Sequence, residues 1–390
     1  MVPNGWEQQK LGTFSELQRG FDLPSKKRVD GGIPIISSSG LSGYHNEFKV
    51  KAPGVVTGRY GSIGEVFFVE ENFWPLNTSL WVKDFHGNDP KFVYYLLSNF
   101  DFKKFSDKTG VPGVNRNDLH AVKVLSPPLS EQKRISKILS TWDKAINTTE
   151  RLIDNSKQQK KALMQQLLTG AHTQRKRLLD DSGKPFEGEW EEVKLGELGT
   201  TFTSLTGKTK SDFGSGKLYV PYINIFKNAS VDINHLERVN ISENERQNEV
   251  KFGDIFFTTS SETPEEVGMS SVMLDMPNEA VYLNSFCFGF RLHSFEQATP
   301  IFMKHVLRSS SVRRFISILA QGATRYNLSK TQLLKVKISL PKKEEQQKIA
   351  SVLNNADKEI ELLEQQLADL KQEKKALMQQ LLTGKKRVLI

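Results

Sequence analysis

Residues 160–170, Lys-Lys-Ala-Leu-Met-Gln-Gln-Leu-Leu-Thr-Gly, recur without a single change as residues 374–384. A chain that repeats itself builds the same unit twice, so this repeat limits the fold more than any other feature. At the same offset of 214, Glu131, Gln132, Asp143 and Lys144 return as Glu345, Gln346, Asp357 and Lys358. Upstream the repeat is looser: Trp6-Glu7-x-x-Lys10-Leu11-Gly12 answers Trp190-Glu191-x-x-Lys194-Leu195-Gly196 at an offset of 184. Between these anchors the offset only grows, through Pro34 with Pro221, Gly54 with Gly253, Asn77 with Asn284, Phe92 with Phe302 and Gly110 with Gly322. A steady drift is what one fold with loop insertions in its second copy produces. The chain reads as two diverged globular domains, each followed by one nearly unchanged helix.

The helices are the plainest elements. From Ser130 to the closing Gly170 the first copy has no proline and no internal glycine, and its apolar or small residues fall in rows with a period of seven, broken only at Lys160. One row holds Ile135, Trp142, Thr149, Ser156 and Leu163, the other Leu139, Ile146, Ile153 and Leu167. The second copy gives Ile349, Ala356, Leu363, Leu370 and Leu377 beside Leu353, Ile360, Leu367 and Leu381. This is the a/d seam of a coiled coil. Acidic first turns and closing Thr-Gly pairs suit the helix dipole and a left-handed C-cap, and the length is about 55 Å at 1.5 Å per residue. Two seams in one chain most simply satisfy each other, antiparallel, with a globular domain between them. The alternative is pairing in trans, as a homodimer would use.

Each domain carries short apolar runs broken by Gly, Pro, Ser and Asn, which read as strands: Gly32–Ile36, Gly54–Thr57, Glu65–Val69, Gly253–Phe257 and Val281–Leu283. Helical stretches follow at Pro90–Phe105 and Pro300–Leu319, so each domain is expected to be α+β. The net charge of +9 suits a polyanionic partner. Side chains that reach base edges and phosphates sit in loops, and three places in each half carry them. In the first half the candidates are Ser37, Ser38 and Ser39; Thr57, Arg59, Tyr60 and Ser62; and Lys108, Thr109, Asn115, Arg116 and Asn117. In the second they are Asn224 and Lys227; Thr258, Ser260 and Ser261; and Gln321, Thr324, Arg325, Tyr326 and Asn327. The two sets differ from each other, as two domains reading different DNA words would require.

The order globular domain, helix, globular domain, helix, with Trp-Glu-x-x-Lys-Leu-Gly opening the domains, Gly58-Arg59-Tyr60-Gly61-Ser62-Ile63-Gly64 inside one and Leu-Leu-Thr-Gly closing both helices, resembles the specificity subunits of Type I restriction-modification systems. The resemblance covers nearly the whole chain. It implies an α+β fold with a pseudo-two-fold internal repeat: two target-recognition domains separated by two long helices in an antiparallel coiled coil. The expected boundaries are 1–126 for the first recognition domain, 127–170 for the first spacer helix and 171–185 for a linker. The second domain follows at 186–340, the second helix at 341–384 and a basic tail at 385–390. The resemblance further implies a non-catalytic chain that binds double-stranded DNA and two methyltransferase subunits, with restriction/translocase subunits as further partners. It needs no cofactor of its own, S-adenosylmethionine belonging to the methyltransferase. The second domain departs from the first's glycine-rich loop, having Thr258–Gly268 with Glu262, Glu265 and Glu266 instead.

Enzyme readings find little support. Ser126-Pro127-Pro128-Leu129 approaches the loop that grips a flipped base in amino-methyltransferases, but its fourth position is Leu rather than aromatic. Glu192-Val193-Lys194 with Asp181 imitates a nuclease set, yet its counterpart Gln8-Gln9-Lys10 lacks a carboxylate. Gly207-Lys208-Thr209 imitates the end of a phosphate loop without its leading glycine. The seven histidines form no ligand-spaced pair, and the single cysteine, Cys287, excludes an internal disulfide and reads as a buried apolar residue. With no apolar run of membrane-spanning length and no signal peptide, a cytoplasmic location is expected. The competing reading of function is an architectural DNA-binding protein that dimerises through its helices.

Overall fold

The computed structural model describes residues 2–105, 113–168, 177–322 and 325–388. It divides into two units: Met1–Leu152 with Leu363–Ile390, and Ile153–Leu362. Unit 1 runs β1 (Glu7–Lys10), α1 (Leu11–Phe14), β2 (Glu16–Arg19), β3 (Ile33–Ser37), β4 (Gly40–His45), β5 (Gly54–Gly58), β6 (Val66–Val69), β7 (Trp74–Pro75), β8 (Ser79–Asp84), α2 (Pro90–Ser98), α3 (Arg116–Ala121) and β9 (Lys123–Ser126). The long helix α4 (Leu129–Leu168) follows. Unit 2 repeats the plan with β10 (Glu191–Lys194), α5 (Leu195–Leu198), β11 (Gly199–Thr203), β12 (Phe213–Val220), α6 (Tyr222–Lys227), β13 (Glu237–Val239), β14 (Ile255–Thr258), β15 (Ser260–Ser261), β16 (Ser270–Val272), β17 (Val281–Leu283) and β18 (Cys287–Leu292). Then come α7 (Pro300–Val306), α8 (Ser310–Leu319), β19 (Tyr326–Asn327), α9 (Lys330–Leu333), β20 (Lys337–Leu340) and α10 (Lys343–Leu381); α4 passes from unit 1 into unit 2 at Ile153, and α10 from unit 2 into unit 1 at Leu363.

The sheets match strand for strand. A four-stranded sheet has the order β2-β8-β5-β6 in unit 1 and β11-β18-β14-β16 in unit 2. A three-stranded sheet has the order β4-β3-β7 in one and β13-β12-β17 in the other, each with one parallel pair. The Trp-Glu-x-x-Lys motif supplies a closing strand: β1 pairs antiparallel with β9, and β10 with β20, just before each long helix. The central apolar runs are explained by period-two alternation. Val55 packs into one core and Val56 into another, while Ile255 and Phe257 face one core and Phe256 a second. Both faces of these strands are therefore covered.

The expected helices at 90–105 and 300–319 are each interrupted. α2 stops at Ser98 and a 3₁₀ turn follows at Phe102–Phe105. α7 stops at Val306, and Ser309 caps a new helix by accepting from Val312 N–H. A capping serine inside an apolar pattern starts a helix that periodicity alone reads as continuous.

Within each unit the two long helices pair antiparallel. In unit 1, Asp143 bonds Lys374 and Glu150 meets Lys371 at 2.7 Å. In unit 2, Lys160 bonds Asp357 and Ser156 Oγ donates to Glu359 at 3.1 Å. Of the seam, Ile135, Leu139, Ile146, Ile153, Leu167, Ile349, Leu353 and Leu381 are buried; Trp142, Leu163, Ile360, Leu363, Leu367, Leu370 and Leu377 are partly so. Ile135, Leu139 and Leu381 belong to the core of the first domain, and Leu167, Ile349 and Leu353 to that of the second.

Three further ties repeat. Gln132 Oε1 accepts from Asp89 N–H as Gln346 Oε1 accepts from Thr299 N–H. The Asp143–Lys374 pair also receives Tyr95 OH, while Asp357–Lys160 receives Lys304 Nζ at 3.1 Å. The buried Glu131 takes Arg387 and Trp6, and the buried Glu345 takes Arg177. Arg387 first, with Trp6, holds the Glu131 carboxyl below the usual carboxylate range. The segments after the two helices are thus not free: Arg387 of the expected tail docks on the start of α4, and Arg177 of the expected linker on the start of α10. Residues 171–176 of that linker lie outside the described residues.

Candidate nucleic-acid interface

In unit 1 two candidate loops meet on one residue, Thr78, and a third joins them through Arg59 and Tyr60. Its hydroxyl accepts from Ser38 N–H at 3.4 Å, and its carbonyl accepts from Arg59 N–H at 3.0 Å and Tyr60 N–H at 3.2 Å. Tyr60 bridges to Gly113, and Val114 N–H donates to Arg59 O at 3.0 Å, which brings α3 alongside. Asn115 caps α3 by accepting from Asn117 N–H at 2.9 Å, leaving Asn115, Arg116 and Asn117 exposed on its first turn. His120 on the same helix accepts Leu17 N–H at 2.9 Å; burial, with Arg116 beside it, pushes its pKa down and keeps the ring a neutral acceptor. The Arg59 guanidinium lies 4.6 Å over the Tyr60 ring. Gly58 is needed here, because a Cβ would meet Ser62 O at 2.0 Å. The 37–39, 59–62 and 115–117 candidates therefore lie together.

Unit 2 gathers its loops through Ser260. Its carbonyl accepts from Tyr222 OH at 3.2 Å and its hydroxyl from Arg325 Nε at 3.2 Å. Burial raises the Tyr222 pKa, so its hydroxyl stays a donor. The β15–β19 pair sets Ser260 opposite Asn327 and Ser261 opposite Tyr326. Gln321 exchanges main-chain hydrogen bonds with Asn327 at 3.0 and 2.8 Å. Lys227, Gln321, Arg325 and Asn327 are exposed. This β15–β19 pairing occupies the place of the Tyr60–Gly113 bridge, so the repeat reaches into the candidate site.

Several sequence candidates have other work. Thr57 and Thr258 are buried in central strands, and Thr258 Oγ1 accepts Met269 N–H at 2.9 Å. Asn224 is 3% exposed; its amide donates to the carbonyls of Asp232 and His235 and accepts from Asp232 N–H, stapling the turn after α6. Ser37 is buried and donates to Gly40 O, and Ser261 is nearly so and bonds Glu266. Against the expectation that they read DNA, the side chains of these five are turned into the fold: four bond the protein's own groups, and the Thr57 hydroxyl is buried without a hydrogen-bond partner among the described residues. Lys108, Thr109 and Thr324 lie outside the described residues. Sequence reasoning missed Thr78 and Tyr222. Thr78 directly follows Asn77, an anchor of the repeat, and that was the available signal.

Cys287 is 2% exposed, and burial pushes its thiol up, which makes it an inert core residue. Among the described residues no helix is long and apolar enough to cross a membrane.

The family model for the Type I restriction modification DNA specificity domain matches residues 3–155 and 187–372. The MjaVIII specificity subunit of a type I restriction enzyme of Methanocaldococcus jannaschii is 26% identical over 99% of this chain and 94% of its own length. A putative type I restriction enzyme MjaX specificity subunit of the same organism is 27% identical over 77% of this chain and 69% of its own. Among solved structures, the S subunit of the Type-I restriction-modification system of M. genitalium superposes with a TM-score of 0.60 at 15% identity, covering 98% of both chains. A chain from a structure described as the basis of complex assembly and conformational transition of the type I R-M system gives 0.58 at 17%, again over 98% of both. Since the family model takes in most of both repeats, the chain belongs to the family of type I restriction-modification DNA specificity subunits.

Proposed function

We propose that the chain is the non-catalytic reading subunit of a type I restriction-modification complex. The domain of residues 1–126 reads one word of a split DNA site and that of 186–340 the other. The paired helices hold the words apart and dock two methyltransferase subunits, which bring S-adenosylmethionine and transfer the methyl group. One observation carries this reading: on scaffolds that repeat strand for strand, the loops around Thr78 and around Ser260 present different hydrogen-bonding side chains. A repeated frame with unlike tips suits two unlike DNA words. The architectural-dimer reading has less support, because the helices already pair within the chain in each unit.

The test is to express the chain with and without a methyltransferase partner and map methylated adenines genome-wide. The expected result is a bipartite motif that appears only when both are present. Methylation by the purified chain alone, or a motif with one uninterrupted word, would overturn the proposal.

A further inference from the structure

Two arginines in unit 2 face inward rather than toward solvent. Arg308, in the break between α7 and α8, donates from Nε to Ser270 O at 2.7 Å. Its Nη2 donates to the carbonyls of Ile225 (2.8 Å), Phe226 (3.2 Å) and Asn228 (2.8 Å). Arg313, on α8, donates to the carbonyls of Gly268 (2.6 Å), Glu265 (2.7 Å) and Val267 (2.6 Å). All seven acceptors are main-chain oxygens, so these contacts leave both positive charges unneutralised. A planar guanidinium with five donors in a rigid fork can gather several carbonyls; a lysine ammonium cannot do so in one plane.

The segments so gathered frame Ser260. Arg308 satisfies carbonyls at the C-terminal end of α6, which have no partner inside that six-residue helix. α6 carries Tyr222, whose hydroxyl reaches Ser260, and the exposed Lys227. Arg313 holds loop 262–268, whose Glu266 accepts from Ser261 Oγ at 3.1 Å. That loop ends at Gly268, where φ is +62° and a Cβ would strike Leu328 at 2.5 Å and Ile316 at 2.9 Å, so its carbonyls are turned toward α8 in one conformation. α7, just before Arg308, is itself tied to α10 through Lys304–Asp357 and through His305 Nε2 to Asn354 at 2.9 Å. At the repeat's offset, Ser98 stands opposite Arg308 and bonds only within α2, to Tyr94 O. Among the described residues, the first domain therefore has no counterpart of the Arg308 clamp at this position.

We propose that Arg308 and Arg313 are positioning residues for the second DNA word: they touch no base, but hold α6 and loop 262–268 in the conformation that presents Ser260, Arg325 and Lys227. This rests on the second domain reading DNA. The experiment uses the full chain, free and assembled with its methyltransferase partner, carrying Arg308→Gln, Arg313→Gln or both. In the free chain, amide exchange of residues 222–228 and 262–268 should speed by about tenfold or more, while 343–362 keeps its protection. In the complex, preference for the cognate duplex over one altered in the second word should fall by about tenfold, and preference against an altered first word should hold. Unchanged exchange in both segments overturns the proposal, as does equal loss of discrimination at both words. If the Gln variants do not fold, Arg308→Lys and Arg313→Lys keep the charge and lose the fork; they should show the same one-sided loss in lesser degree, and behaviour identical to the parent overturns the proposal. A parent complex that distinguishes neither word removes the DNA reading instead, and the exchange measurement still decides whether these arginines hold the loops.

Discussion

Asp357 offers the sharpest test of how the helices are bound to the second domain. Its carboxylate bonds Lys160 of α4 and Lys304 of α7, so three elements meet at one negative charge. Burial alone would raise its pKa, but the two ammonium groups hold it below the usual range. Asp357→Asn would leave two ammonium groups facing each other with their counter-charge gone. Breaking a fully buried pair costs about 3–5 kcal/mol. Because the Asp357 side chain is 29% exposed, water screens part of this, and about 2–3 kcal/mol is expected. For a unit of this size that lowers the midpoint of its thermal transition by roughly 4–12 °C. Lys160→Met should cost less, since Lys304 still faces the carboxylate. Asp357→Asn with Lys160→Met should then destabilise by less than the sum, with a coupling of about 1–2 kcal/mol. Calorimetry of all four chains, with hydrogen exchange assigning the transition to residues 153–362, measures this directly. Strict additivity, or a loss under about 0.5 kcal/mol for Asp357→Asn, would refute the idea that this charge holds the joint.

Three more outcomes are expected from the same geometry. Burial, with Lys304 beside it, lowers the His305 pKa to about 4, so the unfolded chain binds the extra proton first as pH falls below about 6.5. Stability of unit 2 should decline between about pH 6.5 and 4 by roughly 3 kcal/mol, and His305→Gln should remove that part of the slope in a pH series of melts. Exchanging residues 1–126 for another domain of the family should change one word of the methylated motif and keep the other; a change in both would disprove modular reading. Inserting four helical residues into each long helix, between Leu152 and Ile153 in α4 and between Leu362 and Leu363 in α10, should lengthen the pair by about 6 Å and turn the chain beyond each insertion by about 40°. Both words should survive while the unread gap grows by a base pair or two, and undiminished preference for the original spacing would show that the helices are not the ruler.

Periodicity and repetition made the long helices legible, because a seven-residue step and an exact copy are local facts of the chain. The central strands were legible for a related reason: the runs Val55-Val56 and Ile255-Phe256-Phe257 are apolar throughout, which only a strand covered on both faces requires. The breaks at Asn99 and Ser309 were not, since a helix pattern does not reveal which polar residue ends one helix, as Asn99 does, or caps a new one, as Ser309 does.

For the candidate site, sequence placed hydrogen-bonding residues in the right loops but could not sort them by exposure. Thr57, Thr258 and Asn224 resemble their neighbours in type, and only packing shows that their polar atoms are turned inward. The contacts of Thr78 and of the two clamping arginines cannot be read from the chain, even though Thr78 stands beside a repeat anchor, because their partners are main-chain groups at distant positions: Ser38 N–H lies 40 residues from Thr78, and Ile225 O lies 83 from Arg308. The sequence by itself determined that there are two similar domains and two pairing helices, since repetition and period need no knowledge of distant neighbours. Only the tertiary structure decided which polar groups face outward and which hold the others in place, because every carbonyl is alike in sequence and is told apart only by where the chain folds it.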